Sequence, residues 1–83
     1  MFNSYDSIPK MKTTRRIACH EIASTEDNSL MKLAVVEIRS GEVIRCYPLS
    51  GELPCTEWMP GRIVLQRDDK GLVRAYYNNV IIN

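Results

Sequence analysis

The chain has 83 residues, 45% of them hydrophobic, which gives room for one domain with a small core and argues against wholesale disorder. Eleven basic against ten acidic side chains leave a net charge of +1, so bulk attraction to nucleic acid or to an anionic membrane is not expected. No apolar run is long enough to cross a bilayer, and no hydrophobic signal segment follows the polar first residues, so no membrane partner is expected.

Residues 1–14 carry Asn, Ser, Asp and Pro without a period and are expected to form a flexible N-terminal arm, with 15–83 as a single β domain. Met11-Lys12-Thr13 looks like a translation start, which would make residues 1–10 an upstream extension, but a tail without function is the preferred expectation. RRIACHEI at 15–22 reads as a first strand and STEDNS at 24–29 as a polar turn.

Residues 30–49 are two apolar runs joined at Arg39-Ser40-Gly41, the pattern of a β-hairpin. A two-residue Ser40-Gly41 loop would set Ile38 against Val43 and Val36 against Arg45, mixing polar and apolar on both faces. A three-residue loop with Gly41 left-handed makes a G1 bulge and sets Ile38 against Glu42, Val36 against Ile44 and Ala34 against Cys46. The second register makes one face of Ala34, Val36, Ile38, Ile44 and Cys46, and it is the register expected. Its outer face is Leu33, Val35, Glu37, Val43, Arg45 and Tyr47.

Residues 50–61 hold two Pro and two Gly and are expected to be largely loop. Beyond them, a loop at Asp69-Lys70-Gly71 pairs Arg67 with Val73, Leu65 with Ala75 and Ile63 with Tyr77. That leaves Arg62, Val64, Gln66, Leu72, Arg74 and Tyr76 outside. Asn78-Asn79 suits a tight turn, since Asn tolerates positive φ, and Val80-Ile81-Ile82 returns as a last strand. The fold class is all-β: a small six-stranded sandwich or partly closed barrel built from antiparallel hairpins.

These two strand groups resemble the accessory β-sandwich domain that flanks the catalytic barrel in the amidohydrolase superfamily. VVEIRSGEVIRCYPL is similar to that family's N-terminal hairpin, and the segment from Pro60 to Ile82 to its C-terminal strand, polar turn and strand. The family's metal-binding His-x-His has no counterpart, because His20 is the single histidine. The resemblance therefore implies the accessory sandwich without the barrel, and no catalytic residue carries over.

The residues that bear chemistry offer little else. Cys19, His20, Cys46 and Cys55 lack the paired spacing of a structural zinc site, and neighbours 19 and 20 point to opposite faces of a strand, so no metal or other cofactor is expected. Cys55 is the most accessible thiol, but Glu52 and Glu57 nearby disfavour a thiolate. Glu26-Asp27 and Asp68-Asp69 sit in turns, where such residues bond the backbone. Three cysteines at irregular spacing make a poor disulfide framework and suit the cytoplasm.

What remains is surface. Arg45-x-Tyr47 and Arg74-x-Tyr76 repeat on outer faces that also carry Val35 and Val64, and Trp58 stands in the long loop. These seven residues are the candidate interaction surface of a non-catalytic interaction or assembly module. Its partner is a second copy, giving a homodimer, or another protein. The alternative is single-stranded nucleic acid stacked on the Arg/Tyr face.

Overall fold

The computed structural model describes residues 14–51 and 53–83. They form six strands: β1 (Thr14–Ser24), β2 (Ser29–Arg39), β3 (Glu42–Pro48), β4 (Thr56–Arg67), β5 (Val73–Tyr77) and β6 (Val80–Ile82). The arm expected over 1–14 lies outside the described residues except for Thr14, which opens β1.

The strand order is β3-β2-β1-β4-β5-β6 in one mixed sheet, curled into an open half-barrel. Two antiparallel meanders, β1-β2-β3 and β4-β5-β6, meet where β1 and β4 run parallel. The all-β reading holds. The antiparallel hairpins are present as expected, and the partly closed barrel is completed by one parallel seam between them.

The inner face is the core. Ile17, Cys19, Ala34, Val36, Ile63 and Ala75 are fully buried there, with Ile22, Ile38, Leu65 and Ile82 almost so. Burying one such isoleucine is worth about 1.5–3 kcal/mol against leaving it in water.

The second hairpin folds as its sequence indicates: Ile63 pairs with Tyr77, Leu65 with Ala75 and Arg67 with Val73. Gly71 is left-handed at φ +85°, and Asp68 and Leu72 close the loop through Asp68 N–H to Leu72 O at 2.8 Å and Gly71 N–H to Asp68 O at 3.1 Å. Asn78 and Asn79 are both left-handed, at φ 53° and 67°, and make the two-residue turn into β6.

The first hairpin differs. Ser40 and Gly41 are both left-handed, at φ 52° and 80°, which is a two-residue turn whose twist matches the flanking strands. Arg39 therefore faces Glu42 and Ile38 faces Val43. The register then shifts by one residue between Ile38 and Glu37, so that Glu37 meets Arg45, Val36 meets Cys46 and Ala34 meets Pro48. Ile44 is the extra residue. The bulge keeps Val36 and Cys46 inside, as burial demands, and it also turns Val43 toward the core instead of outward.

Residues 56–61, expected as loop, are the first half of β4. The parallel ladder to β1 satisfies one side of their backbone, and Pro60 is tolerated because no second strand needs its missing N–H. At Pro60-Gly61 the pairing slips, from Cys19 opposite Met59 to Glu21 opposite Arg62, with Gly61 at φ +110°. Gly61 N–H donates to His20 Nδ1 at 3.0 Å. In β2, Leu33 opposite His20 is left-handed at φ 50°. One line of irregular backbone thus crosses three strands, and it reverses the alternation of two of them: Cys19 and Ile22 face the core, as do Ala34 and Met31.

Candidate functional site

The outer face of the sheet collects the candidate surface residues, and the registers place them in rows. The first row runs Tyr47, Val35, Ala18, Trp58 across β3, β2, β1 and β4. Beside it runs Arg45, Glu37, Arg16, Thr56.

Most of this half is not free surface. The connection from β3 to β4 must cross β2 and β1, and it does so on the outer side. Leu49 N–H donates to Leu33 O at 2.9 Å, which carries the β2–β3 ladder one residue past Pro48, and from the outer face Arg16 Nη1 then donates to Pro54 O at 3.3 Å. Val35 is 0% exposed and Ala18 3%. Val35 is therefore removed from the candidate surface, because the crossing segment packs where a partner would have to sit. Trp58, at the end of the row, keeps 48% exposure and meets the His20 ring edge-on with centroids 4.8 Å apart.

Glu37 is the buried charge of this half, and it is fully engaged. The Tyr47 hydroxyl donates to its Oε2, Arg16 Nε lies 3.4 Å from Oε2 and Arg45 Nε 3.3 Å from Oε1. The Tyr47 hydrogen bond, helped by the two guanidinium groups, holds the Glu37 carboxyl below the usual range. The same bond pushes the Tyr47 hydroxyl up. Arg45 and Tyr47 thus serve an internal carboxylate.

The second half of the outer face is different. Leu30, Ala23, Val64, Tyr76 and Ile81 are register partners in succession across β2, β1, β4, β5 and β6. With strands about 4.8 Å apart, this apolar stripe is about 19 Å wide. Leu30 is 47% exposed and Ile81 38%, with Ala23, Val64 and Tyr76 between buried and exposed.

Charges border the stripe. On one side Glu21 takes Arg62 at 2.8 Å and Lys32 at 3.3 Å, and these bonds, Arg62 first, lower its pKa. On the other side Arg74 Nε meets Asp68 Oδ2 at 2.9 Å, the main cause of that carboxyl's lowered pKa. An apolar centre inside a polar rim is the anatomy of a protein–protein interface.

Of the seven sequence candidates, then, Val64 and Tyr76 lie in the stripe and Arg74 at its rim, while Arg45 and Tyr47 are committed to Glu37. The sequence reading misses Leu30, Ala23 and Ile81. Ala23 lies beyond the expected end of the first strand, and the face of Leu30 depends on the reversal at Leu33.

The thiols are dispersed. Cys19 is buried and donates to Gly61 O at 3.1 Å, burial pushes the Cys46 thiol up, and Cys55 is exposed. Among the described residues no three His, Cys, Asp or Glu side chains converge as metal ligands would. Comparison with protein-family models, with curated proteins and with solved structures finds no match for this chain.

Proposed function

We propose that this domain is a non-catalytic assembly module of the cytoplasm that pairs with a second copy of itself through the outer stripe. One observation carries the reading: five consecutive register partners, from Leu30 to Ile81, form an unbroken apolar row open to solvent and rimmed by ion pairs. Small domains rarely leave such a row wet, and a two-fold axis through its middle would lay each stripe on its twin. The resemblance to an accessory β-sandwich fits the same reading, since such a domain works by packing against something else. The nucleic-acid alternative has less support, because the arginines it needs, Arg45 and Arg74, face Glu37 and Asp68.

Sedimentation velocity over a concentration series tests the proposal. Wild type should move from monomer to dimer as concentration rises, and Val64→Lys with Tyr76→Lys should stay monomeric with an unchanged far-UV spectrum. Leu30→Lys and Ile81→Lys, at more exposed positions, provide the same test with less risk to the fold. A wild type that remains monomeric to the solubility limit overturns the reading.

A further inference from the structure

The outer stripe is graded in side-chain size. In register order it reads Leu30, Ala23, Val64, Tyr76, Ile81. Val64 is its centre, the smallest and the largest side chains flank it, and two aliphatics of equal size close the ends. Register partners share a face of the sheet, so all five side chains stand on the same side. The stripe therefore has relief: a hollow over Ala23 on one side of Val64 and a prominence at Tyr76 on the other.

Two sheets packed face to face stand about 10 Å apart with their side chains interdigitated. Facing pairs must then fill a similar depth all along the contact, because a void forfeits dispersion contacts and crowding forces side chains off their rotamers. Two kinds of two-fold axis lay one stripe on another with the strands of both sheets aligned. The first runs along the stripe and sets every residue on its own twin. The two tyrosines then collide while the two alanines leave a gap. The second runs along β4 through Val64 and reverses the stripe. Leu30 then meets the partner's Ile81, Ala23 meets the partner's Tyr76 and Val64 meets its twin, so the facing pairs have similar bulk. The charged rim accommodates this second axis. Arg62 stands on β4 beside Val64, hence near the axis, but its guanidinium is drawn to Glu21 on β1, with Nη2 2.8 Å from Oε1. The partner's Arg62 is drawn to its own β1, on the opposite side of the axis, so the two cations lean apart.

We propose that the stripe takes a second copy of this chain in one orientation only, with Ala23 as the socket for the partner's Tyr76 and Leu30 against the partner's Ile81. The inference rests on the self-pairing proposed above and supplies its specificity. The two halves of the stripe, either side of Val64, complement each other. A surface needs that property only when its partner is itself, because an isologous contact sets residue i on residue j and j on i.

Charges placed at the two ends of the stripe read the orientation. Leu30 and Ile81 are its most exposed members, so substitution there spares the fold, and about 19 Å separates them within one chain, too far for an internal ion pair. In sedimentation velocity at low salt, the full chain carrying Leu30→Lys and Ile81→Glu should dimerise at least tenfold more tightly than the chain carrying Leu30→Lys and Ile81→Lys. The difference should shrink at high salt. A mixture of Leu30→Lys with Leu30→Glu should gain nothing over either alone. Cross-linking gives a second readout in a Cys55→Ser background. A short bismaleimide should join Val64→Cys to its twin and Leu30→Cys to Ile81→Cys in a mixture, but not Leu30→Cys to itself. Circular dichroism checks that each variant stays folded. The orientation is overturned if the two doubly charged chains associate equally, if the Lys and Glu variants at position 30 pair with each other, or if Leu30→Cys cross-links to its twin. In each of those cases wild type still dimerises and the self-pairing reading stands. A wild type that stays monomeric overturns that reading, and this one with it.

Discussion

Two glycines separate backbone strain from steric overlap in one protein. Gly41 and Gly71 have nearly the same left-handed backbone, φ +80° and +85°, so a side chain at either meets the same local penalty. That penalty is roughly 1–2 kcal/mol for an alanine. They differ in surroundings. A Cβ on Gly71 meets nothing within 4 Å, whereas one on Gly41 lies 2.7 Å from Arg74 Nη1 and 3.6 Å from Asn83 Oδ1. Arg74 is already tied to Asp68 through Nε at 2.9 Å, so its guanidinium yields only by disturbing that pair. Gly71→Ala should therefore cost the backbone penalty alone, and Gly41→Ala more. For a domain of this size each kcal/mol corresponds to about 4–8 °C in Tm, so thermal unfolding followed by circular dichroism resolves the difference. The excess at Gly41 should vanish in an Arg74→Ala background, while the cost at Gly71 should not change. Equal losses at the two glycines, or an excess that survives Arg74→Ala, would show that overlap with the guanidinium is not what sets them apart.

Two further predictions concern charge and strain. Because the folded-state pKa of Glu37 is lowered, chiefly by Tyr47, its contribution to stability is complete above the ordinary carboxylate range and fades as pH falls through it. The stability gap between wild type and Glu37→Gln, measured with denaturant, should be widest near neutrality and narrow as the pH falls below the ordinary carboxylate range. A gap independent of pH contradicts that account. Tyr47 is raised instead, so its own contribution should persist below about pH 10 and disappear above it, and Tyr47→Phe should erase that alkaline loss. Leu33 holds a left-handed φ of 50° with 48% of its surface exposed. Leu33→Gly should therefore be neutral or stabilising by up to about 1 kcal/mol, against the usual penalty for glycine in a strand. A clear loss would mean that the leucine side chain does more than the strain it causes.

How much of this can be read from the sequence varies along the chain. The second hairpin is legible to the register because its turns announce themselves: Asp-Asp-Lys-Gly and Asn-Asn are left-handed chemistry at both bends. The first hairpin misleads because a pure apolar face is expected only from unbroken alternation. The extra residue at Ile44 restores that face by another route, after a two-residue turn. The reversal at Leu33, His20 and Gly61 has no sequence mark at Leu33, since leucine is a poor candidate for positive φ. Two prolines disguise the start of β4, which is a strand only because β1 lies parallel beside it. The burial of Val35 depends on the same seam, since only a chain that must cross β2 and β1 to reach β4 lays a segment over it. The open stripe is half visible: Val64 and Tyr76 can be placed on an outer face, but their neighbours Leu30, Ala23 and Ile81 require the whole strand order.

The parallel seam also dictates an order of events as the chain folds. Every antiparallel pair is made by neighbours in sequence across a tight bend, as with Tyr77 and Val80, whereas the seam joins Arg16 to Thr56 and Glu21 to Arg62. Closing loops of that length costs about 3 kcal/mol of chain entropy before any contact repays it. The two meanders should therefore gain their first structure separately, and the rate-limiting step is their lateral zippering along β1 and β4. Core substitutions at the seam, such as Ile17→Val and Ile63→Val, should slow refolding. Substitutions near the hairpin tips should chiefly hasten unfolding. It follows that a polypeptide severed within the crossing segment still carries both meanders intact, and its two fragments are natural candidates for reassembly when mixed.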